Sequence, residues 1–276
     1  MSNRSLVVAL VAGILQGIFE WLPISSEGNL VLFLTATGEN PAFAVQFALF
    51  LHVGTALSAT VYYRDDVTKI VQSVPNWRPS SAFHSGSAEQ SFLAVATLVS
   101  GVVGVVVYRT LDAVVSELAG GMFVALIGVL LVGTGALLKT ADGMKLGNQL
   151  GMRESPTLID AVLVGTLQGV AILPGVSRSG TTTSVLLFRG FDGGSAFRLS
   201  FLLSIPAALG AGSLTVLNSG VPEIQLSTAA TVIGVSALVG YLAIDGLLWV
   251  VERVAFWVVC VALGALAVLG GFVVVL

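Results

Sequence analysis

The sequence predicts an all-α polytopic membrane protein, a single membrane domain over residues 1–276 with an inverted-topology repeat. We expect two re-entrant helix pairs and about six full transmembrane helices, and three observations predict this class. The chain is 55% hydrophobic and only 10% charged, with a mean hydropathy of +0.97, whereas soluble domains carry roughly 25% charged residues. Several apolar runs approach the roughly 20 residues that cross a bilayer. One broken, polar motif occurs once in each half of the chain.

The full spans are predicted from apolar runs that a large soluble core would not need. These runs are residues 43–63, 91–108, 118–138, 199–219, 226–244 and 254–276. The single cysteine, Cys260, lies in the last run, so neither an intrachain disulfide nor a zinc cluster is expected. Arg4 precedes a further apolar stretch, which runs into Glu20 without a small-residue cleavage site, so we do not expect a cleaved signal peptide.

The re-entrant pairs are predicted from the doubled motif. Residues 13–33 read GILQGIFEWLPISSEGNLVLF, and residues 165–188 read GTLQGVAILPGVSRSGTTTSVLLF. Each copy runs from an apolar helix through a proline and a polar stretch back to apolar sequence, as two half-helices meeting inside a membrane would. Repeat 1 therefore covers about residues 1–138 and repeat 2 about residues 158–276, joined by a cytoplasmic linker at 139–157.

The basic residues predict the orientation. Loops 64–90 and 139–157 carry an excess of basic residues and are placed in the cytoplasm, whereas the short connection 109–117 is placed outside. The first pair then enters from outside, the second enters from the cytoplasm, and both termini lie outside. Nine basic residues outside the motif fall on the cytoplasmic side and two, Arg4 and Arg109, on the other: Arg64, Lys69, Arg78, Lys139, Lys145, Arg153, Arg189, Arg198 and Arg253.

The first copy of the motif carries the acids. Gln16 and Glu20 are spaced to share one helix face, and a carboxylate at membrane depth indicates a functional site. The alternative is a hydrogen-bonded brace between helices. Beyond the proline, Ser25 or Ser26 could cap the next helix, and Glu27 and Asn29 follow in its first turn.

The second copy predicts an anion site. Free amides at a helix start, hydroxyl donors and a guanidinium favour bound phosphate; the residues are Ser177, Arg178, Ser179, Gly180 and Thr182. The alternative is that Arg178 pairs with a buried glutamate for stability. No Walker A motif occurs, so nucleotide binding is not expected; nucleic acid is not an expected partner either.

Together the two copies predict phosphoryl transfer at the membrane. Glu20 would act as a base or hold a divalent cation, and a serine nucleophile or an activated water would attack. His52 is the one histidine inside a predicted span and is kept as a candidate, although lone histidines in apolar helices are more often packing residues. The competing hypothesis is a transporter or flippase for an anion, since inverted repeats are common in transporters.

The segments EWLPISSEGNL, FLHVGT, PGVSRSGTTT and FLLSIPAALGA resemble, in this order, the undecaprenyl-pyrophosphate phosphatase family of the bacitracin-resistance type. The resemblance implies a multi-pass enzyme of the plasma membrane with its site facing the outer side. It implies hydrolysis of a polyprenyl pyrophosphate to the monophosphate, which recycles a lipid carrier, with a divalent cation such as Mg²⁺ or Ca²⁺. A homodimer is left open.

The resemblance also implies residue roles. Glu20, with Gln16, would be the base or cation ligand; Ser26 would be the nucleophile with Ser25 beside it; and Arg178 would bind phosphate with its flanking hydroxyls. One position departs from the family pattern: Asn29 stands where a histidine is usual, and an amide cannot transfer protons. Either His52 or Glu27 takes over the proton, or the histidine's role was positional, or the chain is less active.

Overall fold

The protein folds into eleven α-helices over the described residues of a computed structural model, which are 3–84, 86–117, 120–145, 153–220, 224–251 and 253–275. No β-strand occurs in this part of the chain. The helices are α1 (Asn3–Phe19), α2 (Ser26–Ala36), α3 (Pro41–Tyr62), α4 (Arg64–Ser73), α5 (Ala88–Glu117), α6 (Gly120–Lys145), α7 (Leu158–Val170), α8 (Arg178–Phe188), α9 (Gly193–Ser219), α10 (Leu226–Val251) and α11 (Phe256–Val275).

Six of these helices, α3, α5, α6, α9, α10 and α11, are long and apolar enough to cross a membrane. They confirm the six predicted spans, but the predicted connection at 109–117 was wrong, and two others contain helix. Residues 109–117 continue α5, because no proline or glycine interrupts them. The loop 64–90 contains α4, whose first turn carries Asp65 and Asp66, where acids stabilise a helix start. The predicted linker begins within α6, and residues 146–152 lie outside the described residues.

Both copies of the motif form two short helices joined by a turn. α1 and α7 end at Phe19 and Val170, shortly before the prolines, as expected where a proline disfavours helical backbone in the preceding residue. The second helix of each pair begins after a serine N-cap. Ser25 Oγ accepts from the Gly28 N–H at 3.2 Å, and Ser177 Oγ accepts from the Gly180 N–H at 3.1 Å.

The helices of the two halves exchange partners. α1 packs along α10 and α7 packs along α5, while α3 packs on α9 and α6 on α11. Glycines allow the close approach: a Cβ on Gly17 would lie 2.8 Å from the Gly240 nitrogen, and one on Gly169 would lie 2.6 Å from the Val103 Cβ. This pairing is the one expected if each half supplies an equivalent set of helices.

Ion pairs gather at one end of the bundle, here called the polar face. Arg198, near the start of α9, bonds Asp66 at 2.6 Å and Glu89 at 2.9 Å. Asp160 caps the start of α7 with Thr157 and pairs with Arg189 at the end of α8. α7 therefore begins and α8 ends at the polar face.

The first pair is oriented the other way. α1 runs parallel to α10, because Gly13 and Gly17 approach Val232 and Gly240 in that order. The start of α3 meets the end of α9 through Gln46 Nε2 and Gly220 O, 3.1 Å apart, at the face opposite to the polar face. This arrangement is consistent with the inverted-topology repeat; which face is cytoplasmic stays a prediction.

Candidate active site

Glu20 lies where the two halves of the protein meet. It follows the last turn of α1, and its carboxylate is almost wholly buried. Oε1 accepts from Arg178 Nη2 at 2.6 Å, and Oε2 accepts from Gln16 Nε2 at 2.9 Å and from Ser26 Oγ at 2.8 Å. One carboxylate thus joins three residues that the sequence placed in two separate motif copies.

Ser26 and Arg178 reach Glu20 because each is the first residue of a half-helix. Ser26 opens α2 behind the Ser25 cap, and Arg178 opens α8 behind the Ser177 cap. Amides at a helix start carry partial positive charge and lack partners within the helix. The two helix starts therefore bring a hydroxyl, a guanidinium and two positive dipole ends to one carboxylate.

His52 also contacts Glu20. Its Nε2 lies 3.3 Å from Glu20 Oε2, and its Nδ1 lies 2.8 Å from the Ala48 carbonyl oxygen. Since a carbonyl only accepts, Nδ1 carries a proton, and Nε2 can bond the carboxylate only by sharing a second proton with it. His52 is therefore more than a packing residue and becomes a candidate proton carrier.

Arg178 is held on both sides of its guanidinium. Nη1 donates to the Ser200 carbonyl at 3.2 Å while Nη2 faces Glu20. Thr182 is fully buried below it, where its hydroxyl lies 2.6 Å from Ser200 Oγ and donates to the Arg178 carbonyl at 2.8 Å. Thr182 therefore positions Arg178 by tying the first turn of α8 to α9.

The remaining predicted phosphate-binding hydroxyls bond the protein backbone. Ser179 Oγ donates to the Leu22 carbonyl at 3.2 Å, and Ser25 Oγ accepts from the Gly175 N–H at 3.0 Å as well as capping α2. Ser177 caps α8, with Gly180 as its partner. Ser25, Ser177 and Ser179 also line a small cavity with Glu20 and Arg178. These serines therefore have a clear structural role, and their binding of phosphate stays a prediction.

A larger cavity of about 370 Å³ leads away from these groups. Its polar residues include Glu20, Glu27, His52 and Arg178, and its walls are formed mainly by α5, α7 and α9. The wall residues are largely small or apolar and extend to Leu217 near the end of α9, away from the polar face. The cavity therefore combines a charged region with a long apolar wall.

Comparison with known proteins identifies the family. Residues 9–268 match the family described as bacitracin resistance protein BacA. The chain belongs to the BacA family. A relative named undecaprenyl-diphosphatase from Haloarcula marismortui is 51% identical over 274 residues, 98% of this chain and 99% of the relative. Relatives of the same name are 38% identical in Methanococcoides burtonii, over 97% of this chain and 99% of the relative, and 33% identical in Geobacter metallireducens, over 90% and 91%.

In this BacA-family protein Asn29 holds the backbone of the first turn. Its Nδ2 donates to the Ile24 carbonyl at 2.6 Å and to the Ser25 carbonyl at 3.0 Å. Ser25 has a φ of 60°, a left-handed conformation that a non-glycine residue adopts only when its surroundings hold it. Asn29 therefore has a clear structural role here, and the alternatives for the proton stay predictions.

Three polar residues that support the site were missed in the sequence. Thr134 Oγ1 donates to the Gly175 carbonyl at 3.0 Å and accepts from the Ser177 N–H at 3.3 Å, and Ser200 bonds Arg178 and Thr182. Thr55 Oγ1 lies 3.4 Å from Gln16 Nε2. Thr134 and Ser200 stand in apolar spans without a motif of their own, and Thr55 ends the segment FLHVGT, where only His52 was considered.

Proposed function

We propose that this protein hydrolyses a polyprenyl diphosphate to the monophosphate, with undecaprenyl diphosphate, the substrate named for its relatives, as the first candidate. The observation that carries the proposal is the contact of one buried carboxylate with both Ser26 and Arg178. A base, a nucleophile and a phosphate-binding cation are the groups that phosphoryl transfer requires. The product would serve again as a carrier lipid.

In the first step, Ser26 Oγ attacks the terminal phosphorus. The hydroxyl proton passes to Glu20 Oε2, which already accepts it in a hydrogen bond of 2.8 Å. The new Oγ–P bond forms as the bond between the bridging oxygen and the terminal phosphorus breaks, and the electron pair leaves with the prenyl monophosphate. An oriented base next to a weak nucleophile is the general requirement for such a step.

Arg178 stabilises the phosphoryl group during this transfer. Its guanidinium fork matches phosphate oxygens, and charge spreads over those oxygens in the transition state. The N-terminal amides of α2 and α8 add partial positive charge from two sides. Because Ser200 and Thr182 hold Arg178, little reorganisation is needed when the substrate arrives.

In the second step, water hydrolyses the phosphoserine. The proton that Glu20 took from Ser26 returns to Oγ, and the proton that the water loses then passes to Glu20 or to His52, whose Nε2 lies 3.3 Å from Glu20 Oε2. The Oγ–P bond breaks, orthophosphate leaves, and Ser26 regains its proton. Direct attack by water on the diphosphate is the alternative, and a Ser26→Ala variant separates the two routes.

The charged region of the cavity offers some, but not all, of the ligands that a divalent cation needs. Glu20 and Glu27 line it, and Glu27 Oε1 is a buried oxygen without a hydrogen-bond partner. The described residues contain no group of three or more histidine, cysteine or acidic side chains that could hold a metal ion. An ion held by one of these carboxylates would take its remaining ligands from phosphate oxygens and water, as Mg²⁺ commonly does. When bound, it would neutralise charge on the diphosphate.

The apolar wall of the cavity would take the first isoprene units of the lipid. Leu214 and Leu217 of α9 and Val105 of α5 line this part, and the latter two are exposed at the protein surface. By the distribution of basic residues, the wall extends toward the outer side of the plasma membrane. The rest of the prenyl chain would then remain in the bilayer.

The test is phosphate release from a long-chain prenyl diphosphate by purified protein in detergent with Mg²⁺ or Ca²⁺. We expect release by the wild type and none by Glu20→Gln, which keeps the side-chain shape but removes the base. Lack of release by the wild type under both cations would contradict the proposal. Prenyl phosphate flux across proteoliposomes without phosphate release would instead favour the transport hypothesis.

A further inference from the structure

Glu27 is a buried acid that the mechanism above leaves without a partner. It is the second residue of α2, is 5% exposed and lines both the small cavity and the large one. Its Oε1 atom has no hydrogen-bond partner, and no basic side chain among the described residues forms an ion pair with it. A buried carboxylate in this state is costly unless something binds it.

A role in starting the helix does not account for this burial. An acid in the first turn interacts favourably with the helix dipole, but an exposed acid does so without losing its water. Asp65 in the first turn of α4 illustrates the exposed case, since its side chain is 83% exposed. Glu27 is instead directed into the cavity where phosphate is expected.

The charges near Glu27 point to a cation. Arg178 pairs with Glu20, so it offsets the charge of that carboxylate and leaves the charge of Glu27 without a counter-ion. A diphosphate entering beside Glu27 would meet a second carboxylate and be repelled. A divalent cation between the Glu27 carboxylate and the phosphate oxygens removes that repulsion and supplies the missing partner.

We propose that Glu27 is the carboxylate through which this protein binds a divalent cation, and that the cation bridges Glu27 to the diphosphate. The inference rests on the proposed function only for the identity of the bridged phosphate. Glu20 then acts as the base and does not hold the ion, because both its oxygens already have protein partners. The hard oxygen ligand suits Mg²⁺, Mn²⁺ or Ca²⁺.

The experiment measures Mn²⁺ binding to the full-length protein in detergent by electron paramagnetic resonance, without substrate and with a non-hydrolysable prenyl methylenediphosphonate. Because the number of charged ligands sets the affinity for such ions, we expect Glu27→Gln to weaken Mn²⁺ binding about tenfold or more. The matched control is Glu39→Gln, which removes the same charge just beyond α2 and outside the cavity. It should bind Mn²⁺ as the wild type does.

A second measurement needs no variant. Mn²⁺ should protect Glu27 of the wild type from modification by an apolar carbodiimide, read by mass spectrometry of the peptide that contains it. Unchanged Mn²⁺ affinity in Glu27→Gln, or modification of Glu27 that Mn²⁺ does not slow, would overturn the inference while phosphate release by the wild type still stood. Glu27-dependent Mn²⁺ binding without any phosphate release would uphold the inference and overturn the proposed function.

Discussion

The starts of α2 and α8 share one backbone arrangement and differ in chemistry. In each, a serine caps the helix and accepts from the N–H of a glycine three residues later, Gly28 or Gly180. The first helical residue is Ser26 in one copy and Arg178 in the other, and both bond Glu20. The repeated turn is therefore a scaffold, and the residue placed directly after the cap decides what each copy contributes.

The two turns are also held differently. Asn29, within α2, donates to the carbonyls of its own turn at Ile24 and Ser25. The turn before α8 is held from outside, by Thr134 of α6. The first turn thus has support from its own helix in addition to the bond from Gly175, whereas Thr134 of another helix supports the second.

The largest expected effect comes from removing the contribution of the second copy. Arg178→Ala should lower phosphate release about a thousandfold, within the range for loss of a preorganised transition-state donor. Arg178→Lys should not restore it, because an ammonium lacks the planar fork. Release assays with Arg253→Ala, a change at the exposed end of α10, provide the control. If Arg178→Ala is nearly as active as the control, Arg178 does not take part in catalysis.

A paired substitution then separates the first helical residue from the cap. Ser26→Ala should lower release at least about a thousandfold if Ser26 is the nucleophile. Ser177→Ala should keep most of the activity and lose about 1 kcal/mol of stability, as loss of an N-cap does. Release rates and thermal unfolding of both variants are the measurements. Equal effects on release would contradict the division between scaffold and chemistry.

The position of the unusual asparagine gives a smaller effect. Asn29→His should lower stability by about 1–2 kcal/mol and release by a few-fold, because one ring N–H replaces two amide donors to the turn. Thermal unfolding and release rates compared with Asn29→Ala measure this. An increase in release would show instead that a histidine at this position transfers protons.

The smallest expected effect concerns the outside support of the second turn. Thr134→Val should lower the free energy of unfolding by about 1 kcal/mol, since it removes a hydroxyl that both donates and accepts. Thr140→Val, at an exposed position of the same helix, is the control and should change little. If the two variants unfold alike, α6 does not support the turn.

The sequence predicts the spans well because a bilayer demands long apolar helices. The interruptions between the paired short helices were predictable because a proline and a serine cap mark each one. That the two copies meet in one site followed from the repeat and the family resemblance. What could not be predicted depends on tertiary packing. Residues 109–117 contain no helix breaker, but their charged residues are also typical of a connection, so the end of α5 could not be placed from the sequence.

The supporting residues of the site show the same limit. Thr134 and Ser200 look like isolated polar residues in apolar runs, and only the fold brings them to the start of α8. Asn29 looked like a lost proton carrier because its family position suggested chemistry. Its amide geometry gives it a backbone role that no spacing rule reveals.

The hydrogen bond from the Gly175 N–H to Ser25 Oγ joins residues 150 positions apart in the chain. A ribosome inserting this protein therefore releases α1 and α2 into the membrane long before their counterpart exists. Until α8 has been inserted, Glu20 lacks its ion pair with Arg178, and the Ser25 turn lacks the hydrogen bond from Gly175. The protein is consequently inactive through most of its synthesis. Two fragments made separately and divided between α6 and α7 would become active only when they associate.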